Sequence, residues 1–388
     1  MAGITHEPLR QPRPPVRRRP REIPPSRLTR IRRVILVAAA ICLMPVVISY
    51  LDMLAQRSDS SVGVRTVEWL KSNGASGIIN QVESMYYSLN APATGGPALK
   101  RLPHQTAAAI QALAPHYAPP ALAPLTTPAL AGEGIWRPTF APGGSRPPVL
   151  VTSFRSEPRQ YPQLVAGVAW IDHTRARVQL YPGLQEPAVH LPRGPMQVPP
   201  SLRGKLLATF NSGFKLQDSG GGFAVGGHTY APLKNGLATI VGYTDGRTDV
   251  VSWTGGPSAG PTVAYARQNL PLIVNHGRPN PNLSDGPQWG ATLGNAIRVW
   301  RSAVGIDSKG NLLYAAANYQ TVGSLAAILI HAGAVRAMEL DINSYWTSFI
   351  TYRHPGAANP ANLLAAMTRS RYRYLTPDDR DFFAVYLR

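Results

Sequence analysis

The sequence has 388 residues, enough for one large domain or two and for a sizeable buried core. Its formal net charge is +19, from 39 Lys and Arg against 20 Asp and Glu, and Cys42 is its single cysteine. One cysteine excludes an intramolecular disulfide and any cysteine-based metal site. Despite the charge, the chain has no basic helix, no aromatic–basic interleaving and no zinc knuckle, which argues against a nucleic-acid partner.

The basic excess is concentrated at the start. Residues 1–33 hold ten Arg against Glu7 and Glu22, in a Pro-rich stretch that cannot bury enough apolar surface to fold and is expected to be a disordered cytoplasmic arm. Val34 to Leu51 then gives 18 residues without a charge, near the lower limit for crossing a bilayer, with Pro45 inside and Tyr50 at the far end. The flank Arg30-Ile31-Arg32-Arg33 orients such a helix with its N-terminus in the cytoplasm. The expectation is a retained signal anchor over 34–55, in contact with the lipid bilayer, rather than a cleaved signal peptide. Residues 56–90 read as a helical stalk of two short amphipathic helices divided by Asn73-Gly74, and 91–147 as an Ala/Pro-rich linker, in which Gln105 to Leu113 has the composition of a turn or two of helix.

From about Val149 short β-rich runs alternate with turn signals. Val165–Ile171 with Arg177–Tyr181, Leu237–Tyr243 with Asp249–Trp253, and Ile297–Ile306 with Leu312–Ala316 read as three hairpins. Leu206–Phe210, Leu270–Val274, Thr347–Tyr352 and Phe382–Leu387 read as further strands, 325–332 as a helix closed by Gly333, and Pro360–Met367 as a short helix capped by Asn359. The fold class is α+β: a largely antiparallel sheet domain with few helices over 148–388, preceded by one N-terminal transmembrane helix.

The chemistry centres on Ala334–Asp341. Strand alternation puts Glu339 and Asp341 on one face, and two neighbouring carboxylates raise the pKa of one of them. Asn211, at a strand-to-loop junction in FNSGF, can bond a sugar hydroxyl or a phosphate oxygen, or simply serve turn geometry. Arg301 lies on a strand with small neighbours, where a guanidinium suits phosphate. Lys215 is a further phosphate candidate, and Trp346, with Tyr345 and Phe349, suits stacking on a sugar. The Gly220–Gly227 run lacks the strand–turn–helix context of a dinucleotide fingerprint, and Ser212 is not in a G-x-S-x-G elbow. No His pair has metal-ligand spacing, and the carboxylates give no full ligand set for a divalent cation. No cofactor is therefore expected.

In order and spacing, FNSGF, the Gly-rich run, RSAVGIDSKGNLLYA, a helix and AMELD resemble the phosphodiester glycosidase family, which includes the N-acetylglucosaminidase that uncovers mannose 6-phosphate. The resemblance covers roughly residues 160–355. Arg301–Gly305 matches the family's strand well, Asn211–Phe214 matches its Asn-Gly-Gly/Ser-Phe-Phe motif in part, and of its Leu-Asp-Gly-Gly-Gly-Ser run only Leu340-Asp341 survives. The resemblance implies an extracytoplasmic, membrane-anchored hydrolase of glycosyl phosphodiesters in a cell-envelope glycan. Glu339 would be the acid, Asp341 would stabilise positive charge or activate water, Arg301 and Lys215 would hold phosphate, and Asn211 and Trp346 would place the sugar. A non-catalytic glycan-binding or scaffold protein of the same fold is the alternative.

Overall fold

The computed structural model describes residues 27–103, 118–139, 147–189, 191–290 and 297–388. Most of the arm expected over 1–33 and the helical turn expected over Gln105–Leu113 lie outside the described residues. The chain divides into two compact units, residues 1–56 and residues 57–388.

The first unit contributes helix α1, Arg27–Ala55. Its 29 residues span about 43 Å at 1.5 Å per residue, and it is long and apolar enough to cross a membrane. It starts seven residues before the apolar run, so the four arginines at 27, 30, 32 and 33 form its first turns, and no residue of it is buried.

The second unit opens with two helices, α2 (Val62–Leu70) and α3 (Ser76–Leu89), joined through a kink at Asn73 and Gly74. Gly74 takes φ +92°, a backbone conformation that costs glycine nothing, which is why the Asn-Gly pair breaks the helix there. This unit begins at Arg57, well before the sequence-based domain boundary at 148. The reason is burial: Leu102, Leu122 and Trp136, all in the stretch read as a linker, are core residues, and Glu133 forms a buried ion pair with Arg155 at 2.7 Å.

Among the described residues eighteen strands form three sheets, and every described pairing is antiparallel. The largest sheet has eight strands, with Tyr161–Ile171, Leu312–Gln320, Val299–Asp307, Ala334–Glu339 and Leu272–Asn275 adjacent in that order. One five-stranded sheet centres on Val263–Gln268, the other on Leu206–Asn211 between Phe349–His354 and Phe382–Leu387. A four-residue helix, α4 (Leu216–Ser219), follows the FNSGF loop, and α5 (Val322–His331) begins in a capping box between Thr321 and Ser324.

Strand alternation sorts the large sheet's side chains into two cores. Ala303, Leu313, Ala315 and Ala337 pack under Leu325, Ile328 and Leu329 of α5. Val304, Tyr314 and Met338 face the opposite way and pack with Phe210, Phe349 and Phe383 of the second sheet and Ile240 and Tyr265 of the third. The antiparallel α+β class expected from the sequence is what the chain forms, and the hairpins on either side of Asp245-Gly246 and Asp307–Asn311 are both present.

Two local expectations fail. Ala176–Tyr181 does not pair with Tyr161–Ile171; it pairs with Phe382–Leu387 in another sheet, because the turn between them delivers the chain to a different layer. Pro360 opens no helix: it lies in the strand Ala358–Asn362, and Asn359 adopts φ +50°, which asparagine tolerates better than most residues.

Candidate functional site

The strand Ala334–Glu339 ends one residue before Leu340, and Asp341 therefore sits in the loop beyond the sheet. The two carboxylates separate. Glu339 is fully buried beside Arg301, whose Nη1 donates to Glu339 Oε1 at 2.6 Å and whose Nε donates to the Gln320 carbonyl at 2.9 Å. Burial pushes the Glu339 pKa up, and the Arg301 charge holds it back. Neither residue is among those lining the cavity that holds Asp341, and the expected acid, Glu339, and phosphate ligand, Arg301, are instead bonded to each other behind it.

Asn211 is likewise an internal brace. Its Oδ1 accepts from Tyr314 Oη (2.9 Å) and the Ser348 amide (3.0 Å), and its Nδ2 donates to Ser302 Oγ (3.0 Å), tying the start of FNSGF to the eight-stranded sheet and to the segment just before Phe349. It is buried and does not line the cavity either.

Three of the expected residues do come together. Lys215, Asp341 and Trp346 line one cavity of about 160 Å³, with Asp218, Asn343 and Arg380 beside them. Asp341 Oδ1 accepts the Asn343 amide at 2.9 Å, and its Oδ2 lies 3.3 Å from Arg380 Nη2. Burial raises the Asp341 pKa, while Arg380 opposes the rise. Burial, and next the like charge of Arg380, bring Lys215 down to about 8. Lys215 immediately precedes α4 and Asp218 belongs to it, so the short helix after FNSGF places a cation and a carboxylate on the same wall.

Arg380 is the residue that the sequence reading missed. It is 6 % exposed, donates to the Gly213 carbonyl at 2.9 Å, and its Nε has no acceptor among the described residues. It lies in the run Asp378-Asp379-Arg380-Asp381, where four consecutive charged residues look like a solvated turn; all four are buried. Arg373 fixes Asp378 with two bonds of 2.6 and 3.0 Å, and Arg267 fixes Asp381 at 2.8 Å. Trp346 is 4 % exposed, and the guanidinium carbons of Arg369, Arg373 and Arg380 stand 5.2–5.3 Å from its ring centre. The ring thus steers cations as well as lining the cavity.

The opposite wall comes from the N-terminal helix pair, which the sequence assigned to a stalk. Glu68 of α2 forms an ion pair with Lys215, and Lys71, Glu83 and Tyr87 complete that side, with Lys71 donating to both Glu83 oxygens at 2.8 Å. The segment before α2 is fastened to the domain. Ser58 Oγ and Ser60 Oγ donate to Asp379 at 2.6 and 2.5 Å, and Asp59 accepts the Asp379 amide at 2.9 Å and pairs with Arg369. Among the described residues, no group of three or more His, Cys, Asp or Glu is placed to hold a metal ion.

This arrangement, one strand-end carboxylate facing two cations in a partly closed cavity, can receive an anionic group and act on the atom next to it. The sequence comparisons agree with the resemblance noted above. The phosphodiester glycosidase family model matches residues 204–341, a segment that runs from the strand before FNSGF to Asp341. No curated protein matches the sequence. Among solved structures, the zebrafish N-acetylglucosamine-1-phosphodiester alpha-N-acetylglucosaminidase catalytic domain, auto-inhibited by its pro-peptide, is 15% identical with a TM-score of 0.42, covering 64% of this chain and 87% of that one. A hypothetical protein from Synechocystis is 14% identical with a TM-score of 0.36, covering 65% of this chain and 61% of that one. Residues 204–341 of the chain thus carry the sequence pattern of the phosphodiester glycosidase family.

Proposed function

We propose that this protein is a membrane-anchored hydrolase of glycosyl phosphodiester bonds, acting outside the cytoplasmic membrane on a cell-envelope glycan. The observation that carries the reading is the grouping of Asp341, Arg380 and Lys215 around one cavity. The family match supports the reaction class. The helix Arg27–Ala55 and its four leading arginines support a single-pass anchor at residues 34–55, with the N-terminus inside.

In the proposed reaction the bond between the anomeric carbon and the phosphate oxygen breaks. Its electron pair leaves with the phosphate, and water adds at the anomeric carbon. Lys215 and Arg380 hold the departing phosphate, whose charge they stabilise in a site sheltered from water. A phosphate leaving group held this way needs no strong proton donor, so the burial of Glu339 does not stop the reaction. Asp341 takes the proton from the attacking water and stabilises the positive charge that develops on the sugar ring. Its raised pKa makes the carboxylate a stronger base toward that water.

One observation favours a binding role instead. Glu68 already occupies Lys215, as a bound anion would. The experiment that separates the two readings uses the full chain in detergent with soluble glycosyl phosphodiesters. Free sugar released by the wild type and lost in Asp341→Asn supports the hydrolase. Binding without release by the wild type sinks it and leaves the glycan-binding scaffold.

A further inference from the structure

Helix α3 has two faces of different character. Its inner face carries Glu83 and Tyr87 to the cavity. On its outer face Ile78, Val82, Met85, Tyr86 and Leu89 are each 60–75% exposed. At 3.6 residues per turn these five fall within an arc of about 100°. The neighbouring exposed positions are Gln81, Ser88 and Asn90, so no charge lies on that surface. The only charged residue of α3, Glu83, is turned inward to Lys71. A single exposed apolar side chain needs no explanation, but a continuous uncharged stripe of five costs hydration unless something covers it.

The geometry points to a lipid bilayer surface as the cover, with the outer face of α3 lying in the interface. This inference rests on the anchoring proposed above. The bonds from Ser58, Asp59 and Ser60 to Asp379 fix the chain to the domain just before α2. Only Gln56 and Arg57 separate this pinned segment from Ala55, the last residue of α1. An extended chain covers at most about 3.6 Å per residue, so this tether cannot exceed roughly 11 Å, whatever the orientation of the anchor. A spanning helix on so short a lead keeps Ser58–Ser60, and the start of α2 that follows at Val62, close to the membrane. The stripe has the composition of an interfacial helix: aliphatic side chains for the acyl boundary, and Tyr86, whose ring is apolar and whose hydroxyl seeks water. A protein partner would also cover apolar area, but nothing about the tether would call for it.

The test uses the full chain reconstituted into vesicles of phosphatidylethanolamine and phosphatidylglycerol. Because Cys42 is the sole cysteine, it takes one environment-sensitive fluorophore in the wild type; Val82→Cys, Met85→Cys and Asp245→Cys take it in a Cys42→Ala background. The expected result is that probes at 82 and 85 are quenched by spin-labelled lipid at least twofold more than the probe at 245, and are shielded from aqueous iodide. Iodide quenching at 82 and 85 equal to that at 245, with the Cys42 probe still quenched by lipid, overturns the interfacial placement and leaves the anchor intact. No lipid quenching at Cys42 removes the anchor, and the inference with it. Shielding from iodide without lipid quenching assigns the stripe to a protein cover, a second copy included, and also overturns it.

Discussion

Arg301 and Glu339 form a bond of 2.6 Å with both side chains wholly removed from solvent. Adjacent strands present them on the face that packs under α5, and cutting either one leaves a buried, uncompensated charge. Glu339→Gln should therefore lower stability by about 3–5 kcal/mol. The paired change Arg301→Met with Glu339→Leu should recover most of that loss. Thermal denaturation of the three proteins in one detergent checks both expectations. A Glu339→Gln protein as stable as wild type, with turnover gone, would return Glu339 to the chemistry.

Asp341 makes the contrasting case. Asn at this position keeps the acceptor for the Asn343 amide and removes a charge that burial already disfavours. Arg380, unlike Arg301, keeps further carboxylates nearby in Glu186, Asp381 and Asp218, so stability should change little. The rate of sugar release should fall on the order of 10²–10⁴-fold, the usual contribution of a positioned base. The kinetics of Asp341→Asn beside its melting temperature test the assignment.

Lys215 gives a pH signature. Its pKa, brought to about 8 by burial and Arg380, means that the ammonium charge is lost as pH rises through 8. A phosphodiester keeps its single negative charge over that range, so its KM should rise between pH 7 and 9. In Lys215→Arg, whose guanidinium stays charged, the rise should disappear. A wild-type KM that is flat over this interval would remove Lys215 from the phosphate site.

Glu68 competes with any anion for that same lysine. Both side chains are more than two-thirds buried, at 28% and 22% exposure, and the pair is worth on the order of 1 kcal/mol. Glu68→Gln should therefore tighten binding of inorganic phosphate about fivefold at pH 7. Isothermal titration of the two proteins measures the difference directly; equal affinities would mean that phosphate does not use Lys215.

Asp59 links pH to the fastening of the N-terminal segment. Burial, with Asp378 and Asp379 nearby, raises its pKa to about 7 against the pull of Arg369. The docked state then binds more protons than the undocked one between the ordinary carboxylate range and pH 7. Docking is accordingly firmest at low pH and weakens as pH rises through 7. Amide exchange at Asp379, whose N–H donates to Asp59, should speed up from pH 6 to 8 beyond the intrinsic chemical rate, and Asp59→Asn should remove the excess.

Much of the fold was legible because each core strand carries its own pattern. Val299–Asp307 and Leu312–Gln320 flank a turn whose Asp307 accepts three local bonds, which makes the hairpin a local matter. Ala176–Tyr181 has the same texture, yet its partner lies over 200 residues away, and no local signal names it. The site divides in the same way. Asp341, Lys215 and Trp346 stood out by residue type. Arg380 did not, because its role comes from burial among Asp341, Gly213 and Trp346, which only the closed fold supplies. Glu339 and Asp341 were placed on one face by extending strand alternation two residues beyond the strand's end at Glu339.

The cavity has walls from two distant parts of the chain, residues 68–87 and residues 214–380. A truncated protein beginning at 148 would therefore expose Lys215 and a half-open cleft, and would lose the buried Glu133 as well. A chain nicked between Leu89 and Leu102 would behave otherwise. Its two fragments should travel together through gel filtration and part only in denaturant, because Asp379 and Lys215 still grip the smaller piece.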